Sequence, residues 1–227
     1  RLPVPLPFRF ARCPSRGVVA KRKKTRLPSG VAEMAAPERL ECLKWIAVAA
    51  MATDHAGRVF LESDGMAFAL AYAVGRLALP LFAWIAAARL VARPDCWSGY
   101  LNWLLPFAAL SQIPHAITLQ AGVSADVAAA YPAAVMAGVP EGWNILFTLA
   151  AGVALAAATR AALSGDGSLR SLAGPAAVGA LAAGMAMNSE YGFAGALLVP
   201  LFAEMLRGSK ALAVSVLAAA VWYVNSD

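Results

Sequence analysis

The stretch Lys44-Trp-Ile-Ala-Val-Ala-Ala-Met-Ala-Thr-Asp-His55 holds an unbroken uncharged run between a lysine and an aspartate–histidine pair. Its alanine, isoleucine, valine and methionine content predicts a helix, and the length of apolar chain around it predicts that the helix crosses a bilayer. Eleven residues advance a helix by about 16 Å and return it to within about 20° of the starting azimuth, so Lys44 and His55 share one face at different depths. Asp54 is offset from His55 by about 100°, and His55 is expected to face the neighbouring helices. An ionisable group in hydrocarbon costs at least about 2.5 kcal/mol unless it meets protein or water, which makes such residues functional-site candidates.

Composition fixes the setting. Hydrophobic residues make up 60% of the 227 positions and charged residues 14%, with a mean hydropathy of +0.64, well above the apolar share of an ordinary soluble domain. Runs approaching the 20 or so apolar residues that a hydrocarbon core demands recur at about 40–61, 66–92, 99–120, 143–163, 169–187, 191–206 and 209–224. The expected fold is therefore all-α, a polytopic transmembrane helical bundle of about seven spans over residues 39–227. Pro80, Pro106, Pro114 and Pro200 fall inside these segments, as proline does more often in membrane helices than in soluble ones. Residues 1–38 carry Lys21-Arg22-Lys23-Lys24 and the prolines Pro3, Pro5, Pro7, Pro14 and Pro28 without any buried pattern, which predicts a disordered basic tail. Met34 stands just ahead of the first span, so the tail is expected to be an upstream extension before it, and no function is assigned to the tail.

The charges test this layout independently. Cytoplasmic loops gather Lys and Arg, and a cytoplasmic N-terminus puts Arg89 and Arg93, Arg160 and Arg170, and Arg207 and Lys210 on the same side as the tail. The opposite loops carry Glu62 and Asp64, Asp126 and Glu141, and Glu190. Eleven of the nineteen basic residues lie at or before Lys44, so the net charge of +6 and the pI near 9.6 describe a juxtamembrane arm that meets anionic lipid; no nucleic-acid partner is expected. Cys13, Cys42 and Cys96 have no metal-like spacing and are expected to be unpaired. Phosphate-binding loops, nucleophile elbows and HExxH motifs are absent, and no metal is expected.

Within the spans, polar residues come in short groups. Asp54, Arg58 and Glu62 form two i,i+4 acid–base pairs, which a self-neutralising helix end also explains. Arg76 lies in Gly75-Arg76-Leu77-Ala78-Leu79-Pro80-Leu81-Phe82, entering from the outer end as His55 enters from the inner, so the two are expected to meet near the midplane. An arginine there pairs with a carboxylate, holds a phosphate or stabilises an oxyanion. Ser111-Gln112-Ile113-Pro114-His115, Trp143-Asn144 and Ser189-Glu190-Tyr191-Gly192 gather near the outer interface, where Trp143 also suits plain interfacial anchoring.

Five blocks, in order, resemble the TraX family of conjugal-transfer membrane proteins, whose best-known role is acetylating the amino terminus of conjugative pilin. They are Leu43-Lys44-Trp45-Ile46 through Asp54-His55-Ala56-Gly57; Gly75-Arg76-Leu77-Ala78-Leu79-Pro80; Leu110-Ser111-Gln112-Ile113-Pro114; Asn144-Ile145-Leu146-Phe147-Thr148-Leu149 with Gly152; and Glu190-Tyr191-Gly192 with Gly195. TraX proteins are in turn distantly similar to integral-membrane acyltransferases, whose first span carries a basic residue, ten residues and a histidine; Lys44 and His55 match that gap. The resemblance implies an acetyl-CoA donor reached from the cytoplasm and a catalytic His55, with His115 given no role.

The expected function is an inner-membrane acyltransferase of a bacterium, moving an acetyl group from acetyl-CoA to an amine or hydroxyl of pilin or another exported acceptor. His55 is the expected general base, Asp54 its tuning group, and Arg76 the oxyanion or cofactor-phosphate ligand. Lys44 is expected to meet acetyl-CoA at the cytoplasmic mouth, and Asn144, Glu190 and Tyr191 to shape the acceptor side. Two other classes fit parts of the pattern: a small proton- or anion-coupled transporter using Asp54, His55 and Arg76 as a relay, and a non-catalytic assembly factor whose polar groups hold helices together.

Overall fold

In a computed structural model that describes residues 36–61, 64–120, 142–165, 167–209, 211 and 213–218, the described residues form seven α-helices, one short 3-10 turn and further helical residues at 211 and 213–218. The helices are α1 (Pro37–Phe60), α2 (Met66–Gly75), α3 (Ala78–Ala92), α4 (Trp97–Gln120), α5 (Ile145–Ser164), α6 (Leu169–Met187) and α7 (Gly192–Leu206). Among the described residues the one β-type pairing is an isolated bridge between Trp143 and Ser189. The basic tail, Glu62, Asp126, Glu141, Lys210 and half of the expected segment at 209–224 lie outside the described residues.

Among the described residues two stretches are long and apolar enough to cross a membrane, Met66–Ala92 and Ile145–Ser164; the segments expected at about 40–61, 99–120, 169–187 and 191–206 are helical, but α7 is shorter and α1 carries several charges. The expected single helix over 66–92 is interrupted. Proline at 80 has no N–H to bond the Arg76 carbonyl, and its ring crowds that carbonyl. The backbone answers with a tighter turn, Leu77 donating to the Val74 carbonyl at 3.1 Å, and both Arg76 and Leu77 keep right-handed helical angles. α2 and α3 are thus two rods joined at Arg76-Leu77.

The interior is built of small side chains. Ala47, Ala83, Ala87, Ala150, Ala151 and Ala196 are all fully buried, and the largest side chains without solvent exposure are Leu79, Val153, Val199 and Thr148. Large apolar residues sit outside instead, among them Trp45, Phe60, Met66, Leu110, Leu181 and Met187. A water-soluble fold places these the other way round. Close approach is what small residues permit: a Cβ on Gly152 of α5 would stand 2.6 Å from the Ala196 carbonyl oxygen of α7. α5 packs against α4, α6 and α7, while α3 wedges between α1 and α7.

Cys42 is a free, exposed thiol. Cys96, expected unpaired, is disulfide-bonded; spacing along a chain does not report which cysteines approach in space.

Candidate functional site

The polar groups of α1 gather where α2 crosses it. Ala71 and Gly75, four residues apart on α2, meet Gly57 and Asp54, three apart on α1: a Cβ on Gly57 would stand 2.7 Å from the Ala71 Cβ, and one on Gly75 would stand 2.8 Å from the Asp54 Cγ. This is the small-xxx-small device of membrane helix pairs, with one of its two contacts made against a carboxylate. Asp54 is consequently the buried member of the pair, and His55, expected to face the other helices, has a side chain 42% exposed. The 100° offset between them holds; which of the two turns inward is set by the notch at Gly75.

Asp54 Oδ2 accepts from Arg58 Nε at 2.9 Å, and Arg58 Nη2 lies 3.7 Å from Glu190 Oε1. The i,i+4 pair predicted from sequence therefore forms and extends to the turn between α6 and α7. Arg58 also lies 5.7 Å over the Tyr72 ring, and Arg76 lies 4.7 Å over it and hydrogen-bonds the Tyr72 hydroxyl. The guanidinium that the structure joins to Asp54 is Arg58, whereas Arg76 enters the layer through Tyr72. A signal for Arg58 was present in the i,i+4 spacing; Tyr72 offered none beyond its position one turn before Arg76.

His55 Nδ1 donates to the Met51 carbonyl at 2.9 Å and lies 3.7 Å from Asp54 Oδ2, too far for a hydrogen bond. A carbonyl only accepts, so the proton of neutral His55 is on Nδ1 and the lone pair is on Nε2. That is the tautomer a general base needs.

Glu190 is held by backbone. Trp143 N–H donates to the Asn188 carbonyl and Glu190 N–H to the Trp143 carbonyl, each at 2.7 Å. Gly142 makes this pairing possible: its φ of +92° is a conformation other residues avoid, and a Cβ there would stand 3.0 Å from the Asn188 oxygen. Burial pushes the Glu190 carboxyl above the ordinary carboxylate range; Arg58 opposes that rise and Asp54 adds to it. Tyr191 stands at the head of α7 and packs against the core.

Asn144 is placed differently from its expected acceptor-binding role. Its Oδ1 caps α5 by accepting from Leu146 N–H at 3.0 Å, and its Nδ2 donates to Gln112 Oε1 and the Ala108 carbonyl, both at 2.9 Å. Both amide hydrogens are engaged in bracing α5 against α4. Lys44 lies at the other end of α1, bonded to Glu41 and 5.4 Å over the Trp45 ring, with Arg89 Nη2 3.4 Å from the same Glu41. Lys44 and Arg89 thus share one acid at that rim. Among the described residues no three His, Cys, Asp or Glu side chains are grouped to hold a metal ion.

A family model described as TraX protein matches residues 39–226. No curated protein and no solved structure matches the chain.

Proposed function

We propose that this chain, which belongs to the TraX family, is an integral-membrane acyltransferase that moves an acetyl group from acetyl-CoA to an amine or hydroxyl acceptor. The observation that carries the reading is the fixed tautomer of His55, with Nδ1 tied to the Met51 carbonyl and Nε2 bare. The small-residue interior and the outward large apolar side chains support a lipid setting, and the Lys44–Glu41–Arg89 rim supports a cytoplasmic N-terminal side in a bacterial inner membrane.

In this reading the acceptor nitrogen attacks the thioester carbonyl carbon, forming C–N as C–S breaks. His55 Nε2 takes the proton that the acceptor loses and returns it to the departing thiolate. Arg58 and Arg76, stacked across Tyr72, keep positive charge where the carbonyl oxygen becomes negative. Asp54 holds Arg58 in place. Lys44 and Arg89 supply the anion-binding rim for the donor's phosphates, about 16 Å along the helix from His55. The pilin amino terminus, by family resemblance, is the first acceptor to try.

The test uses full-length protein in nanodiscs with radiolabelled acetyl-CoA and a pilin amino-terminal peptide. His55→Ala should lower transfer at least about a hundredfold, the range for a lost general base, with insertion and melting unchanged. Transfer retained in that variant would remove His55 from the chemistry. The break at Arg76 favours one other reading, since interrupted helices also build transporter sites; proton or anion flux in proteoliposomes without acetyl-CoA would establish it.

A further inference from the structure

One face of α4 carries Ala108, Gln112 and His115, all buried. Ala108 and Gln112 are engaged with Asn144. His115, one turn further on, hydrogen-bonds the Gly142 backbone, while its Nε2 is buried with no hydrogen-bond partner among the described residues. The bonded nitrogen is therefore Nδ1 and its backbone partner the Gly142 carbonyl, so Nδ1 donates and Nε2 presents a bare lone pair. Leaving such an acceptor unsatisfied costs about 1–3 kcal/mol, and a native protein retains the cost where something else completes the bond.

His115 lies within electrostatic reach of the layer already described. His55 and Arg58 both act electrostatically on His115, and the same two residues act on Glu190. Gly142 fixes both arms of the arrangement. It bonds His115, and its neighbour Trp143 accepts the Glu190 N–H at 2.7 Å. What Nε2 lacks is a hydrogen donor. Phosphate and carboxylate offer none in their ionised forms; an amine or a hydroxyl does.

We propose that His115 is a substrate-binding residue whose Nε2 accepts a hydrogen bond from the docking amine or hydroxyl; a primary amine then keeps a second N–H for His55 to remove, whereas a hydroxyl turns its single proton from His115 to His55 as it attacks. This rests on the acyltransferase reading for its meaning but not for its test. The chain has two histidines, so in His55→Ala protein labelled with nitrogen-15 histidine every imidazole signal is that of His115. Full-length labelled protein in nanodiscs is titrated with glycine methyl ester, methyl glycolate and betaine methyl ester, which offer an N–H, an O–H and no donor.

A saturable shift of the His115 Nε2 resonance with the first or second, and none with the third, is expected, and which of the two responds more strongly separates an amine from a hydroxyl acceptor. In otherwise wild-type protein, His115→Asn keeps a group able to bond Gly142 and should raise the KM for the responding ester about tenfold, far more than that for acetyl-CoA. Silence of Nε2 toward both donors, or an equal response to the betaine ester, overturns the proposal even if acetyl transfer is found. A shift without any acetyl transfer leaves the subsite standing and sinks the acyltransferase reading.

Discussion

Gly75 and Gly152 each let a second helix come closer than any side chain would allow, yet what arrives differs. At Gly152 the visitor is the α7 backbone around Ala196 and the side chain of Val199; at Gly75 it is the carboxylate of Asp54. The first contact is dispersion packing between helices that have no hydrophobic drive to associate in lipid. The second gives a charged group a dry notch, tolerable only because Arg58 closes over it at 2.9 Å. One glycine serves packing and the other seats the group that the proposed chemistry depends on, so substitutions at the two should separate stability from activity.

The largest effect is expected at the notch. Gly75→Ala puts a methyl group within 2.8 Å of the Asp54 Cγ, displaces Arg58 and lowers acetyl transfer by about a hundredfold, the scale of an ångström-sized misplacement; transfer assays in nanodiscs would show it. Gly152→Ala should instead cost about 1–3 kcal/mol of stability through overpacking, read from thermal unfolding in detergent, with the remaining folded fraction as active as wild type. If both variants lose activity and stability in parallel, the contrast between the two contacts collapses.

A pH series sharpens the comparison from the Glu190 side. Burial holds this carboxyl above its unfolded value, so across the window between the two values the folded chain keeps a proton that the unfolded chain has released. Stability from this group is therefore complete below the unfolded value and is lost as pH rises through the folded one. Glu190→Gln should flatten that decline in unfolding measurements, and an unchanged slope would assign the proton elsewhere. The smallest effect belongs to the rim: Lys44→Gln loses an ion pair with Glu41 whose partners are both more than a third exposed, worth under about 0.5 kcal/mol after screening, while acetyl-CoA affinity should fall severalfold in equilibrium binding.

The helices were legible because apolar run lengths and proline positions carry them, and the Asp54–Arg58 pair because i,i+4 spacing does. The family was legible from five ordered blocks spanning the later match over residues 39–226. Facing was not. Helical periodicity gives the angle between Asp54 and His55 but no origin for it, and the origin lies in Gly75, a different helix. Asn144 read as a binding residue since a lone amide near an interface has the same signature whether it caps a helix or meets a ligand. His115 offered only its burial in an apolar segment, and the partner that orients it, Gly142, is a backbone group with no side chain to notice.

The break at Arg76-Leu77 divides one apolar stretch between two sets of neighbours. α3 is clamped between α1 and α7, whereas α2 packs chiefly on α1. Tyr72 and Gly75 lie on the α2 side of that division, and Gly75 forms one wall of the Asp54 notch. The polar layer therefore leans on a two-helix seam, while the rod that continues α2 is braced from both sides.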